Sequence, residues 1–288
     1  MRLSPAELTA LVDARETSPH RFLGLHPLEG GGLVARALLP WASACELLPE
    51  GGKPVPMTRL HASGVFEVEL PGSSLFRYRF RVTYPDGVRR DVDDPYRFLP
   101  TISEDDLFLL GKGDDHRAHY KLGSHVRTID GVSGVSFAVW APSARRVSVV
   151  GDHNLWNGRA QPMRNLGASG IWEIFIPGLA AGARYKYEIV GPHDTTPFLK
   201  TDPYALHFEP SPNHAAIVCD LSGFVWHDAA WLEARRQRDL RSRPMSVYEV
   251  HLASWRRVPE EGGRVLNYRE LGEQLAAYCV RMGFTHVE

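Results

Sequence analysis

Two stretches decide the fold of this chain: GVFEVELPG at residues 64–72 and GIWEIFIPG at residues 170–178. In the first, Phe66, Val68 and Leu70 fall on alternate positions; in the second, Trp172, Ile174 and Ile176 do. Side chains alternate across a β-strand, so each stretch reads as a strand with one apolar face, closed by a Pro-Gly turn. The likeness extends outward from both. RYRFRV (77–82) matches RYKYEI (184–189), and ARALLP ending at Pro40 matches FAVWAP ending at Pro142. His20-Arg-Phe-Leu-Gly-Leu-His26 matches His119-Tyr-Lys-Leu-Gly-Ser-His125, and Asp94-Pro95-Tyr96 matches Asp202-Pro203-Tyr204. The matches keep their order, and their spacing grows only from 99 (His20 to His119) to 108 (Asp94 to Asp202). The chain therefore carries two homologous copies of about a hundred residues, an ordinary domain size.

Both copies alternate strongly. Tyr78, Phe80 and Val82 oppose Arg77, Arg79 and Arg81, while Tyr185, Tyr187 and Ile189 oppose Arg184, Lys186 and Glu188. Turn signals at Pro85-Asp86-Gly87, Asn157-Gly158, Pro177-Gly178 and Gly191-Pro192 separate the strands. Short alternating strands with regular turns predict a mainly β chain of two tandem immunoglobulin-like antiparallel β-sandwiches. Helices are expected only at the ends. Ser4-Pro5-Ala6-Glu7 is a capping box opening a helix to about Arg15, and a second helix is expected near 227–240. Asn267 with Glu270 caps a third, whose Leu271, Leu275, Tyr278 and Met282 form a stripe ended by Gly283. SVYEVHL before that helix and FTHVE after it read as strands, giving the first βα(β) unit of a truncated (β/α)8 barrel. Two strands cannot close a barrel that needs eight. The expected divisions are 1–110, 111–222, a linker helix over 223–243, and the barrel start over 244–288.

Composition narrows the function classes. Apolar residues make up 43% and charged residues 23%, with a net charge of −1, as in a globular protein with no basic patch for nucleic acid or membrane. The three cysteines are scattered, and the thirteen histidines form no ligand spacing, so neither a disulfide framework nor a metal site is expected. The N-terminus has no signal core, and a cytoplasmic location is the expectation.

The tail MSVYEVHLASWRR…NYRELGEQLAAYCVRMGFTHVE closely resembles the start of the catalytic barrel in bacterial 1,4-α-glucan branching enzymes of glycoside hydrolase family 13. VSFAVWAPSARRVSVVGDHNLWNGR, GIWEIFIPG and RYKYEI resemble the family 48 carbohydrate-binding module that precedes that barrel. The first copy resembles the extra N-terminal domain of some bacterial branching enzymes. The resemblance covers essentially the whole chain. It implies transfer of α-1,4-glucan segments to form α-1,6 branches in glycogen biosynthesis, by a retaining mechanism with two carboxyl groups and no cofactor. The family's catalytic blocks would follow Glu288, so no catalytic residue is assigned, and 1–288 alone is expected to be inactive but able to bind α-glucan. Glu249 and Glu288 are assigned structural roles by position.

Three residues are candidates for carbohydrate contact. Trp156, in GDHNLWNG, offers an apolar surface to a sugar face, and the tryptophan of this loop often stacks on sugar in the resembling modules. Packing against a neighbouring module is the competing role. Lys186 lies on the wet face of its strand and matches a glucan-contacting lysine of kinase-type modules; an ordinary solvated lysine is the alternative. Asn154 has donors and acceptors for hydroxyls, although such residues more often shape turns. His153 stands where the family more often has phenylalanine. Trp172 shares a face with Ile174 and Ile176 and is assigned to the core. The first copy has PEGGKPV (49–55) in place of the aromatic loop, and Trp41 is its only tryptophan, so a spacer or chain-length role is expected of it. Two alternatives remain: a stand-alone non-catalytic α-glucan-binding protein, or the N-terminal part of a debranching or malto-oligosyl-trehalose hydrolase.

Overall fold

The repeat in the sequence is a repeat of strand pairing. In a computed structural model that describes residues 3–194, 196–239 and 242–288, the first copy supplies β1 (Gly24–Pro27), β2 (Leu33–Leu38), β3 (Ala44–Pro49), β4 (Val55–Pro56), β5 (Thr58–His61), β6 (Val65–Leu70), β7 (Tyr78–Thr83) and β8 (Arg89–Val92). They form two four-stranded antiparallel sheets, ordered β1-β2-β6-β5 and β4-β3-β7-β8. The second copy supplies β9 (Gly123–Ile129), β10 (Val132–Trp140), β11 (Arg146–Gly151), β12 (Arg164–Asn165), β13 (Ile171–Pro177), β14 (Arg184–Val190), β15 (Phe198–Lys200) and β16 (Ala216–Ile217). Its sheets run β12-β13-β10-β9 and β11-β14-β15, with β16 also paired to β14. Equivalent residues face each other in both copies: Ala37 with Phe66 as Val139 with Trp172, and Leu47 with Phe80 as Val149 with Tyr187. A one-residue slip would turn every apolar side chain outward, so the alternating pattern fixes this register twice over.

The alternate apolar residues meet between the sheets. Ala35, Ala37 and Phe66 share a core with Cys45, Leu47, Phe80 and Val82. In the second copy Phe137, Trp172 and Ile174 pack with Val147, Val149, Tyr185 and Tyr187. Trp172 is fully buried, and its indole N–H donates to the Ala141 carbonyl at 3.1 Å.

Two other repeated motifs are the halves of one joint. Tyr78 donates its hydroxyl to Asp94 Oδ2 at 2.6 Å, and Tyr185 does the same to Asp202 at 2.6 Å. The second carboxylate oxygen accepts the backbone N–H of Tyr96 (2.9 Å) or Tyr204 (2.8 Å). Against this turn lies the glycine of the other motif. Gly24 (φ +101°) and Gly123 (φ +100°) adopt backbone that favours glycine, and a Cβ at either would come to 3.1 Å from Tyr96 or Tyr204. Burial pushes Asp94 up to about 6 and also raises Asp202.

The copies also pack on each other. Leu11, Val12, Phe22, Leu23, Leu38, Val65 and Tyr96 join the core of the second copy. Beyond Tyr96 the chain crosses the outer face of β13. Phe98 sits edge-on to Phe175, Thr101 donates its N–H to Glu173 Oε1 at 2.6 Å, and Arg164 reaches Glu173 Oε2 at 3.1 Å and the Phe98 carbonyl at 2.9 Å. Glu173 is thereby fully buried but satisfied.

Helix α1 (Pro5–Val12) has the expected Ser4–Glu7 capping box but stops short of Arg15, with Asp13 as its cap and Ala14 at φ +50°. The expectation of helices only at the ends fails at α2 (Glu104–Lys112), which runs across residue 110. Ser103 and Asp106 cap it reciprocally, Gly113 ends it at φ +74°, and Leu107 and Leu110 pack beside Ile102, Leu122 and Ile171.

Residues 1–223 form one compact unit and 224–288 a second. In the second unit α3 (Ala229–Arg236) is shorter than 227–240; Leu240 and Arg241 lie outside the described residues. There follow β17 (Val247–Tyr248), α4 (Leu252–Trp255), β18 (Arg257–Val258), β19 (Arg264–Val265), α5 (Tyr268–Met282) and β20 (His286–Val287). SVYEVHL is a strand only at Val247–Tyr248, with one further backbone hydrogen bond from Val250 N–H to the Glu288 carbonyl at 2.9 Å, before α4 starts at Leu252. β17 and β20 pair in parallel across α5, which Asn267 and Glu270 cap as expected. Its buried stripe is Leu271, Leu275 and Cys279; Met282 is 54% exposed instead, turned away from that face. Among the described residues no helix is long and apolar enough to cross a membrane.

Candidate functional site

The site is built where β11 ends. Gly151 must be glycine, because a Cβ there would lie 2.2 Å from the Arg184 carbonyl. The chain then turns through Asp152–Asn154 and places Leu155 (φ +54°) and Trp156 (φ +58°) in left-handed backbone, which residues other than glycine rarely adopt. Asn154 holds this turn from inside. It is 2% exposed, accepts the Gly151 N–H at 3.0 Å, and donates to the Val149 carbonyl at 2.8 Å and Gln161 Oε1 at 2.9 Å. Its amide is thus occupied by the loop and does not face the surface. His153 also meets Gln161 Oε1, at 2.8 Å, and burial keeps it below the usual histidine range.

The result is a half-buried Trp156 on an open cleft of about 320 Å³. Its indole N–H donates to Asp152 Oδ1 at 3.0 Å, which fixes the ring. Arg184 holds Asp152 Oδ2 at 2.8 Å and Glu209 Oε1 at 3.0 Å. Lys186, two residues along β14 on the same face as Arg184, lies with its Nζ 3.2 Å from His214 Nε2. The structure therefore brings Trp156 and Lys186 to one cleft, together with Asp152, Arg184, Glu209 and His214. It leaves Asn154 behind them. Arg184 could have been read from the wet face it shares with Lys186. His214 comes from a distant loop with no motif and had no signal.

The cleft combines an indole face with adjacent hydrogen-bond donors and acceptors. An indole face suits the C–H face of a pyranose, and adjacent donors and acceptors suit its hydroxyls. Bond cleavage by the retaining route needs a carboxylic acid protonated near neutrality. The two carboxylates here are the opposite, because the hydrogen bonds from Arg184 hold both Asp152 and Glu209 below their usual range. No group of His, Cys, Asp and Glu suited to a metal occurs among the described residues.

Comparison with known proteins finds similarity along nearly the whole chain. Residues 4–96 match the model of the alpha-1,4-glucan branching enzyme GlgB N-terminal domain, and residues 121–205 that of carbohydrate-binding module 48 (isoamylase N-terminal domain). The chain is 48% identical to the 1,4-alpha-glucan branching enzyme GlgB of Myxococcus xanthus, covering 98% of this chain and 39% of that protein. It is 47% identical to the GlgB of Rubrobacter xylanophilus (98% and 38%) and 50% identical to that of Frankia casuarinae (98% and 34%). The chain thus spans between a third and two fifths of the length of these curated relatives.

Proposed function

We propose that this chain, a member of the GlgB branching-enzyme family homologous to its N-terminal portion, holds α-glucan for an enzyme that moves α-1,4-linked segments into α-1,6 branches. The observation that carries the reading is the meeting of Trp156 and Lys186 on one open cleft. There the indole stacks on a glucose ring, while Lys186, Arg184 and His214 meet its hydroxyls. Asn154 contributes by holding the loop in shape. The paired sheets of each copy are read as immunoglobulin-like sandwiches, the first a spacer and the second the glucan-binding module. Residues 244–288 are read as the opening strand, helix and strand of a (β/α)8 barrel, working in the cytoplasm. Catalytic residues of such barrels come from the ends of several strands, so no chemistry is assigned to residues 244–288.

Two measurements test this. Titration of the purified chain with maltoheptaose should show binding that Trp156→Ala weakens at least tenfold. Incubation with amylose should yield no new α-1,6 linkages. Undiminished binding by the alanine variant would remove the assigned site, and new branches would overturn the assignment of 1–288 as non-catalytic.

A further inference from the structure

Trp156 also lines a second and larger cleft, of about 720 Å³. This one is walled by Leu155 and Trp156 on one side and by four arginines, Arg15, Arg145, Arg146 and Arg159. Two acids share it. Asp13 pairs with Arg15 at 2.8 Å, and Glu188 pairs with Arg146. The other two guanidiniums are not neutralised. Arg145 gives its Nε to the Gly191 carbonyl at 3.0 Å and its Nη2 to the Asp194 carbonyl, neither of which carries a charge. Arg159 is exposed and has no ion-pair partner among the described residues. Four cations against two anions leave the cleft with an excess of two positive charges.

Two further observations point to a ligand. Arg146 is only 8% exposed yet lines the cleft, so its charge is set into the wall and not carried on a free surface side chain. Leu155 is 72% exposed in left-handed backbone, so the loop holds an apolar side chain out beside the indole. The loop is seated here by close contact, since a Cβ on Gly158 would lie 2.0 Å from Glu188 Oε1.

We propose that this cleft binds a phosphorylated sugar, its phosphoryl group met by the guanidiniums and its ring by Trp156 and Leu155. Guanidinium forks match phosphate oxygens in geometry and charge, and an aromatic wall supplies contact with a pyranose. The phosphoryl group has two sources, a free hexose phosphate or a phosphate ester on a glucan chain. The site goes beyond the neutral glucan cleft that Trp156 also lines, and the two are separable through Arg159 and Lys186.

Calorimetric titration of the full chain decides it, with glucose 6-phosphate, a maltodextrin bearing 6-phosphate esters, maltoheptaose and inorganic phosphate as probes. Glucose 6-phosphate should bind more tightly than inorganic phosphate and weaken as salt is raised. Arg159→Ala should weaken it about tenfold while leaving maltoheptaose binding unchanged. Lys186→Ala should leave glucose 6-phosphate binding unchanged and weaken maltoheptaose about threefold. Tighter binding of the esterified maltodextrin than of glucose 6-phosphate assigns the glucan chain as the source; equal or weaker binding assigns the free sugar phosphate. Inorganic phosphate binding as well as glucose 6-phosphate, or an Arg159→Ala variant indistinguishable from wild type, overturns the proposal. Arg159 is exposed, so loss of folding does not confuse the result.

Discussion

The two copies share a frame and differ in one loop. Strand register, the tyrosine–aspartate joint and its facing glycine recur at equivalent residues in both. After β3 the first copy runs through Glu50–Pro54, a turn in which Gly51 has φ +72° and Gly52 lies against Pro49, with no aromatic residue. After β11 the second copy builds the buried Asn154 turn that holds Trp156 at the surface. The wet face of the neighbouring strand is basic in both, with Arg79 exposed on β7 where Lys186 stands on β14. A basic strand face is therefore common to both copies, and the loop is what distinguishes them. Duplication has kept the residues that fix the fold and let the loop diverge, as is usual when function is grafted on a scaffold.

The largest test of this comparison concerns equivalent glutamates, Glu67 on β6 and Glu173 on β13. Glu67 pairs with Arg36 at 2.5 Å and is 19% exposed on its side chain. Glu173 is fully buried with Arg164 and Thr101. Removing one partner of a buried pair strands the other charge, so Glu173→Ala should lower unfolding free energy by about 3–5 kcal/mol. Glu67→Ala also strands a buried partner, since Arg36 is 2% exposed, but Glu67 itself is 19% exposed against 0% for Glu173, so water enters its site more readily and the loss should be smaller. Urea unfolding of both variants checks the order, and equal losses would mean that the segment crossing β13 adds nothing.

Next in size is the repeated joint. Asp94 titrates at about 6 in the folded protein against 3.8 unperturbed, because burial disfavours its charge. A carboxyl raised in the folded state contributes stability that is fully present below pH 3.8 and is lost as pH rises through about 6. A rise of that size corresponds to about 3 kcal/mol. Asparagine cannot ionise, so wild-type stability should fall relative to Asp94→Asn by roughly that amount between pH 4 and 7. Asp202→Asn should change with the same sign. A stability difference flat across that range for both variants would break the equivalence of the two joints in their electrostatics.

Much of this frame was legible because alternation and turns are local. Tyr78, Phe80 and Val82, and Tyr185 and Tyr187, are all buried as their spacing predicts. The Asn267 and Glu270 cap was legible for the same reason. Helix α2 was missed although Ser103, Asp106 and Gly113 signal it, since its apolar residues Leu107 and Leu110 gain a partner only through the fold. The second buried face of β13 was also hidden. Ile171 and Phe175 stand on the side that alternation assigns to water, and that departure was its only trace. In the site, Trp156 and Lys186 were accessible to reading as surface groups. Asn154 was not, because only the close approach of Val149 and Gln161 shows that its amide is spent inside the loop.

The loop itself is tested by paired tryptophans. Trp156→Ala should weaken maltoheptaose binding at least tenfold, about 1.4 kcal/mol, through loss of the stacking face. Trp41→Ala, in the copy without the loop, should leave the titration unchanged. The opposite pattern would move the glucan site to the first copy.

The smallest effect should come from the face that both copies share. Lys186→Ala removes one donor from the cleft but leaves the indole, held by Asp152, in place. A hydrogen bond exchanged with water contributes modestly, so glucan affinity should fall only about threefold, or ~0.7 kcal/mol. His214 would lose the neighbour 3.2 Å away, but the Thr201 hydroxyl still holds its backbone carbonyl at 2.8 Å, so the cleft should keep its shape. Arg79→Ala makes the equivalent deletion in the first copy and should change nothing. If Lys186→Ala instead matched the loss from Trp156→Ala, the strand face would share the site equally with the loop. The two copies would then differ by a lysine for an arginine as much as by a loop, and a loop grafted from the second copy onto the first would not suffice to create binding.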